Sequence, residues 1–418
     1  MLRNNYICAL DLGSSKIAAV VAEIKNKNVS NVFFAMAPAK GMKQGTIVNS
    51  IDLIGSIEKI LQVLRAKSNI NIKFVYANIS GHDVTTKHST AIIPLAERGN
   101  KVITPSDIQK VNDQARILGS SLEEEIIHRI PFSYAIDSKS KIINPLGLYS
   151  HKLAVDLYLI CGKLASIQSL IRAINQAGCE VKDLLFSGMA TAHAVLSQEF
   201  RKGQTVIVDV GSDITEMLLF QEGLLRNIEV LPIGGDDITR KLCDELKIPF
   251  ELAEDVKITH ASIGEHECIE EQKEILIKKD SFYHPIKQRV VVELVTAKAR
   301  SMCQSIKETM ERITPLYQVN NVIATGRPAL LEGFLETLES AVGVPVKLGH
   351  TANSNIISLL GRDVTLSRRK YLAYVSALGM VCQAMEKEHP QVLPNYQPAP
   401  NLLAKFVNRV KDMYQEYF

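Results

Sequence analysis

Tyr6-Ile-Cys-Ala-Leu-Asp11-Leu-Gly13-Ser-Ser-Lys16-Ile, continued by Ala-Ala-Val-Val-Ala-Glu23, stands near the start of the chain. Thr205-Val-Ile-Val-Asp209-Val-Gly211-Ser-Asp-Ile-Thr215-Glu-Met-Leu-Leu-Phe220 stands near its middle. Each stretch is an apolar run, an Asp-x-Gly step and a second apolar run. Short apolar runs bounded by a glycine turn read as buried strands joined by a hairpin. A third strand-like run follows each pair, Val32 to Ala37 and Leu224 to Leu231. A helical pattern comes next in both places. Ile54, Ile57, Leu61 and Leu64 share one face of Ile51 to Arg65, and Ile238, Leu242 and Leu246 share one face of Asp237 to Leu246. Two copies of strand–strand–strand–helix predict a pseudo-twofold pair of α/β domains facing a cleft.

The rest of the composition agrees with a globular chain. At 418 residues it exceeds one ordinary core. With 48 basic and 45 acidic residues it carries a net +3, no footprint for nucleic acid. Its 7 cysteines are scattered without a CxxC pair, so reduced thiols are expected rather than a zinc site or a disulfide framework. The N-terminus reads as a strand, not a signal peptide. No apolar stretch approaches the roughly 20 residues of a membrane span. The body is therefore expected in the cytosol, with any membrane contact peripheral.

Between the two copies, Ser80 to Gly162 reads as a small α+β insertion with a helix at Pro105 to Gly119. Glu123-Glu124-Glu125 reads as a helix start, where acids suit the dipole. Ser166 to Gly178 reads as a helix stopped by its glycine. Asp255 to His284 is mixed and charged, and Pro285 to Arg312 has the pattern of a long helix. Val322 to Gly326 is a strand running into a turn, Ala329 to Val342 a helix and Val344 to Leu348 a strand. Pro390, Pro394, Pro398 and Pro400 mark Glu386 to Asn401 as an extended linker. His82, His88, His128 and His151 lack ligand spacing and read as surface or core histidines.

A phosphate–magnesium site needs carboxylates that hold the ion through water and glycines that let backbone N–H groups approach phosphate oxygens. Asp11 and Asp209 occupy matching places in the repeats, each at a strand end before Gly13 or Gly211. In facing domains both carboxylates would point into one cleft. Lys16 would then act on phosphate as a point charge. Taken singly, either motif is also a plain hairpin turn closed by an Asx bond. Gly234 and Gly235 precede a helix start, a natural place for phosphate oxygens or a plain capped turn. Glu254 and Lys257 fall on one helix face, where a solvated ion pair is the ordinary meaning. Gly326 and Arg327 follow a strand and precede a helix.

After the linker, Leu403, Phe406, Val407, Val410, Met413, Tyr414 and Tyr417 recur at three- and four-residue steps and form one apolar face. Lys405, Asn408, Arg409, Asp412, Gln415 and Glu416 take the other side. Such a helix suits the interface of an anionic bilayer; the competing reading docks it on its own domain or on a partner helix.

These residues in this order resemble the actin–DnaK–sugar-kinase superfamily, and within it the FtsA family of bacterial cell-division proteins over essentially the whole length. The specific signs are His128-Arg-Ile-Pro131-Phe-Ser-Tyr134-Ala-Ile-Asp137 with Asn144-Pro145-Leu-Gly147-Leu, then Pro232-Ile-Gly-Gly235 with Ile-Thr239, Ala253-Glu254 and Lys257, and lastly the linker and terminal helix. The resemblance implies an actin-like α/β fold: two ribonuclease-H-like domains around a nucleotide cleft, with the α+β insertion, subdomain 1C, in the first. In that scheme domain 1A takes 1–80 and 163–203, 1C takes 81–162, 2A takes 204–239 and 313–385 with a return to 1A, and 2B takes 240–312. A linker at 386–400 and a membrane helix at 401–418 complete it.

The resemblance also implies ATP with magnesium, taken by Asp11, Gly13, Ser14, Ser15, Lys16, Asp209, Gly211 and Ser212. Gly234, Gly235, Glu254, Lys257, Gly326 and Arg327 would complete the nucleotide contacts. It implies polymerisation into filaments on the cytoplasmic face of the membrane at the division site. It further implies binding of the FtsZ C-terminal peptide to 2B, where Lys278, Lys279, Lys287, Arg289 and Arg300 offer positive charge. Two departures bear on turnover. The second phosphate loop of the superfamily reads Asp-x-Gly-Gly-Gly-Thr, whereas Ser212 and Asp213 stand here, and Arg327 replaces the second glycine of the adenosine loop. Retained binding with weak or absent hydrolysis is the expectation, at most a slow ATPase. A small-molecule kinase of the same superfamily, or a PilM-like pilus component, would keep the cleft without a use for the tail.

Overall fold

β1 (Tyr6–Leu12) and β2 (Lys16–Lys25) pair antiparallel from Tyr6↔Glu23 to Leu12↔Ile17, so the first Asp-x-Gly step lies at a hairpin end. The computed structural model describes residues 6–26, 28–96, 99–137, 139–264, 274–279, 282–350 and 370–388. The linker and terminal helix expected at 386–418 lie almost wholly outside them. Among the described residues no helix is long and apolar enough to cross a membrane.

β3 (Asn28–Pro38) adds antiparallel to β2, and a small ribbon of β4 (Met42–Lys43) and β5 (Thr46–Ile47) leads to α1 (Ser50–Ser68). The Asn49 side chain accepts the N–H groups of Ile51 and Asp52 and so starts α1, while Asn69 ends it in the left-handed region at φ 54°. Leu53, Ile57, Ile60, Leu61 and Leu64 are buried along one face. β6 (Phe74–Ile79) returns parallel to β1.

The insertion then interrupts the crossover. It contains β7 (Val84–Pro94), β8 (Lys101–Val102), α2 (Pro105–Leu118), β9 (Glu124–Ile136), β10 (Lys139–Ile142), β11 (Tyr149–Ser150) and β12 (Lys152–Lys163). α2 covers a sheet ordered β10-β9-β12-β7, packing Val111 and Ala115 against Ala91, Leu153, Val155 and Leu157. The acidic block at 123–125 does not open a helix. Glu124 begins β9 because its carboxylate accepts from the Thr85 hydroxyl at 2.6 Å and the Lys87 ammonium at 2.7 Å on β7. α3 (Leu164–Gln176), β13 (Glu180–Phe186) and α4 (Ser187–Val195) complete this half, and Gly178 at φ +84° closes α3 as its sequence indicates.

The second copy repeats the plan. β14 (Gln204–Val210), β15 (Thr215–Gln221) and β16 (Leu224–Leu231) are antiparallel, followed by α5 (Gly235–Leu246) and α6 (Phe250–His260). A ribbon of β17 (Glu274–Lys279) and β18 (Phe282–Lys287) precedes α7 (Gln288–Ile313), β19 (Val319–Thr325), α8 (Phe334–Val342) and β20 (Val346–Leu348). The two large sheets are ordered β13-β6-β1-β2-β3 and β16-β15-β14-β19-β20, the same arrangement twice. β14 and β19 bury Val206, Val208, Val210, Val322 and Ala324 in one core with Ile238, Leu242, Val291, Val295, Met302 and Ile306 from the helices. Last comes α9 (Val375–Glu388). It packs on α4 so closely that a Cβ on Gly379 would lie 1.7 Å from the Ala190 carbonyl oxygen.

Two boundaries differ from the sequence pattern. Pro285 to Lys287 belong to β18, not to the long helix, since Pro285 pairs opposite Leu276 and Lys287 opposite Glu274. A two-stranded ribbon tolerates a proline because an outward N–H is not needed there. The helix expected from Ala329 to Val342 splits into a 3-10 turn at Arg327–Leu330 and α8, with Gly333 at φ +83° between them. The chain divides into two units, one of 1–12, 16–193 and 376 onward, the other of Gly13–Ser15 and Ala194–Val375.

Candidate functional site

In the first unit Asp11 sits near the end of β1, the central strand of its sheet, and is 8% exposed. Its Oδ1 accepts from Asn78 Nδ2 at 2.7 Å, and its Oδ2 lies 3.5 Å from Lys16 Nζ. Asn78, on the neighbouring β6, is 2% exposed. Its carbonyl accepts the Leu12 N–H at 2.7 Å and its amide donates also to Ser187 Oγ at the start of α4. The Leu12 bond fixes which end of the amide faces Asp11, because a backbone N–H can meet only the oxygen.

In the second unit the equivalent Asp209 lies on β14, also central, opposite Thr325 on β19. Gly326 follows at φ +87°, where a Cβ would stand 1.9 Å from the Val210 carbonyl oxygen and 3.1 Å from Asp209 Oδ1. Only glycine fits that crossing of two strand ends. Thr325 is 1% exposed, and its hydroxyl has no hydrogen-bond partner among the described residues. Arg327 Nη2 donates to Ser15 Oγ at 2.8 Å, with Gly13–Ser15 grouped in this unit.

The loop after β14 folds onto the start of α5. The N–H groups of Gly235 and Asp236 donate to the carbonyls of Gly211 and Ser212 at 2.9 and 2.8 Å, and Gly234 N–H donates to Asp237 Oδ2 at 2.8 Å. The first donors of α5, the natural anion site of a helix, are thus bonded within the protein. Gly234 permits the approach, since a Cβ there would lie 2.2 Å from the Ser212 carbonyl oxygen. Asp213 is 8% exposed and accepts from Arg240 Nη2 at 3.3 Å. Burial, and next the Asp213 carboxylate, push Asp236 up to about 6.

Glu254 and Lys257 do not form the solvated pair that their spacing alone would suggest. Lys257 is 6% exposed. Its ammonium donates to Thr239 Oγ1 at 2.7 Å and to the Gly235 carbonyl at 3.1 Å, and it is paired with Glu254. The Thr239 hydroxyl donates in turn to Glu254. One buried cation joins α6 to the first turn of α5, where a missing partner would leave a desolvated charge.

The sequence-derived residues therefore gather in two sets. Asp11 and Lys16 meet in the first unit. Asp209, Gly211, Ser212, Gly234, Gly235, Glu254, Lys257, Gly326 and Arg327 surround one loop system in the second, Gly235 lying against Pro328 and Lys257. Asn78, Ser187 and Arg240 were not singled out by sequence. Asn78 left one trace, a polar residue inside the apolar run Val75-Tyr-Ala-Asn78-Ile79.

Twin five-stranded units of this topology, one carrying an α+β insertion, make this an actin-like protein. The solved PilM–PilN type IV pilus biogenesis complex matches with a TM-score of 0.62 at 14% identity, covering 91% of this chain and 98% of that one. MreB5 of Spiroplasma citri, solved bound to ADP, matches with a TM-score of 0.53 at 11% identity over 93% of this chain and 99% of its own. The family model for the cell division protein FtsA matches residues 206–379, and that for the SHS2 domain inserted in FtsA matches residues 81–161. The cell division protein FtsA of Borreliella burgdorferi is 26% identical over 392 residues, 93% of this chain and 92% of the relative. The chain belongs to the FtsA family of actin-like cell-division proteins.

Proposed function

We propose that this chain binds ATP with magnesium, polymerises on the cytoplasmic face of the membrane and anchors FtsZ there during division. The observation that supports nucleotide binding is the repeated acidic strand end. Asp11 and Asp209 each lie on the central strand of a five-stranded sheet, two residues before a glycine. Ligands in open α/β sheets favour the carboxyl ends of such strands. A relative in fold, MreB5, was solved with ADP. The phosphates would be taken by the loops Gly13 to Lys16 and Gly211 to Ser212, with magnesium met through water by Asp11 and Asp209. Gly326 and Arg327 would serve the adenosine, Gly234, Gly235, Glu254 and Lys257 would complete the nucleotide contacts, and the buried Thr325 hydroxyl is a spare polar group beside Gly326.

Hydrolysis is expected to be weak. Asp213 with its Arg240 partner fills the place of a phosphate-loop glycine, and the first donors of α5 are bonded to Gly211 and Ser212. Isothermal titration with ATP and magnesium tests binding; absence of heat would end the reading. Phosphate release at ordinary enzyme rates would end the expectation of weak turnover. For the tether, removal of 401–418 should release the protein from anionic liposomes, and a truncated form that still sediments with them would exclude that helix as the anchor. For the partner, FtsZ with and without its C-terminal peptide should co-sediment differently with the full-length protein, and equal recovery would count against docking on 240–312.

A further inference from the structure

Arg327 leaves the chain just after β19, yet its guanidinium ends on the loop that follows β1. Its Nη2 donates to Ser15 Oγ at 2.8 Å, and Gly13–Ser15 belong to the same unit as Arg327. The backbone beneath it is pinned on both sides. Gly326 crosses against the Val210 carbonyl, and the buried Pro328 has its Cγ 2.8 Å from where a Cβ on Gly235 would stand. The residue itself is exposed. Among the described residues no carboxylate pairs with its guanidinium; Asp213, in the neighbouring loop, takes Arg240 instead at 3.3 Å. A neutral hydroxyl orients a guanidinium without neutralising it. A phosphate oxygen does both, and phosphate geometry matches the planar fork of donors.

We propose that the Arg327 guanidinium is a ligand for the terminal phosphates of a bound nucleoside triphosphate, held ready on Ser15 until the phosphates replace that hydroxyl. This rests on the nucleotide reading above and sharpens it. The main chain at Gly326 and Arg327 stays with the adenosine, while the charge of Arg327 serves the polyphosphate. The side chain thus favours a ligand by its anionic tail, not by its base.

The test compares two affinities of the full-length protein. ATP is titrated in the presence of magnesium, and adenosine is measured by its displacement of a fluorescent ATP analogue. Arg327→Gln removes the charge at an exposed position, so its melting curve should match the parent's. It should weaken ATP binding about tenfold or more and adenosine binding by no more than about twofold. Arg327→Lys keeps a point charge without the fork and should hold the ATP loss to about threefold. Equal weakening of ATP and adenosine assigns the side chain to the base and overturns the proposal. So does an unchanged ATP affinity in Arg327→Gln, or a lysine variant as weak as the glutamine one. In each of those cases the nucleotide reading stands. An intact protein that binds neither ligand overturns that reading and this assignment together.

Discussion

The ammonium of Lys257 lies 2.7 Å from the hydroxyl of Thr239, and that hydroxyl donates onward to Glu254. The two helices that carry these residues are joined by a buried charge, so Lys257→Ala strands Glu254 beside a vacated space. A loss of about 3 kcal/mol is expected for the second unit. Lys257→Met, which keeps the apolar stem, should cost less. Urea unfolding followed by circular dichroism reads both, and an unchanged midpoint for Lys257→Ala would show that the pair carries no stability.

Gly326 is held at φ +87° with the Val210 carbonyl oxygen in the space of a side chain. Gly326→Ala must strain the backbone and push β14 from β19. A loss on the order of 2 kcal/mol or more is expected, with faster amide exchange at Val208 and Ala324. A melting temperature equal to the parent's would refute the close crossing.

Much of this was legible beforehand because buried strands and tight glycine turns are local signals. The twin runs ending in Asp11 and Asp209 carry their meaning in a dozen residues each. The pairing of Asp213 with Arg240 is not local, and nothing in the loop announces its partner 27 positions on. Pro285 to Lys287 misled for another reason. Its periodicity merges into the true helix at Gln288, and only pairing with Glu274 to Lys279 reveals a strand. Glu254 and Lys257 have a spacing that exposed pairs share, so their burial depended on α5 packing over them.

Asp236 is half-buried beside Asp213, and its carboxyl is pushed up to about 6 from an ordinary 3.8. A folded-state value above the unfolded one favours folding when the group is protonated. That contribution is complete below about pH 4 and lost as pH rises through about 6. Asp236→Asn should therefore stabilise the protein at pH 7, by about 1 kcal/mol once solvent screening is allowed for, and do nothing near pH 4. Thermal melts across that range decide it, and a pH-independent effect would contradict the origin given.

Asp107 closes the start of α2. It accepts from the Thr104 hydroxyl at 2.6 Å and the Thr104 N–H at 2.9 Å, while Lys101 lies 3.0 Å away. The Thr104 bonds, with Lys101 behind them, hold its carboxyl down at about 2. The cap's contribution is present above pH 4 and lost as pH falls through about 2. Asp107→Ala should cost about 1 kcal/mol at neutral pH, with the loss felt in the insertion first. Amide exchange in α2 that matches the parent would contradict this.

Asp83 sits where the insertion leaves its host. Its carbonyl accepts the Lys163 N–H at 2.9 Å, and its carboxylate takes the Ser166 hydroxyl at 2.7 Å and the Lys163 ammonium at 2.8 Å. Entry and exit of some eighty residues are thereby stitched within one hydrogen bond of each other. The module still leans back on its host through β9, where Ile127 is buried in the host core and His128 Nε2 accepts the Phe186 N–H at 2.9 Å, so only the part beyond that seam is open to being lengthened or exchanged without touching the strands that carry Asp11.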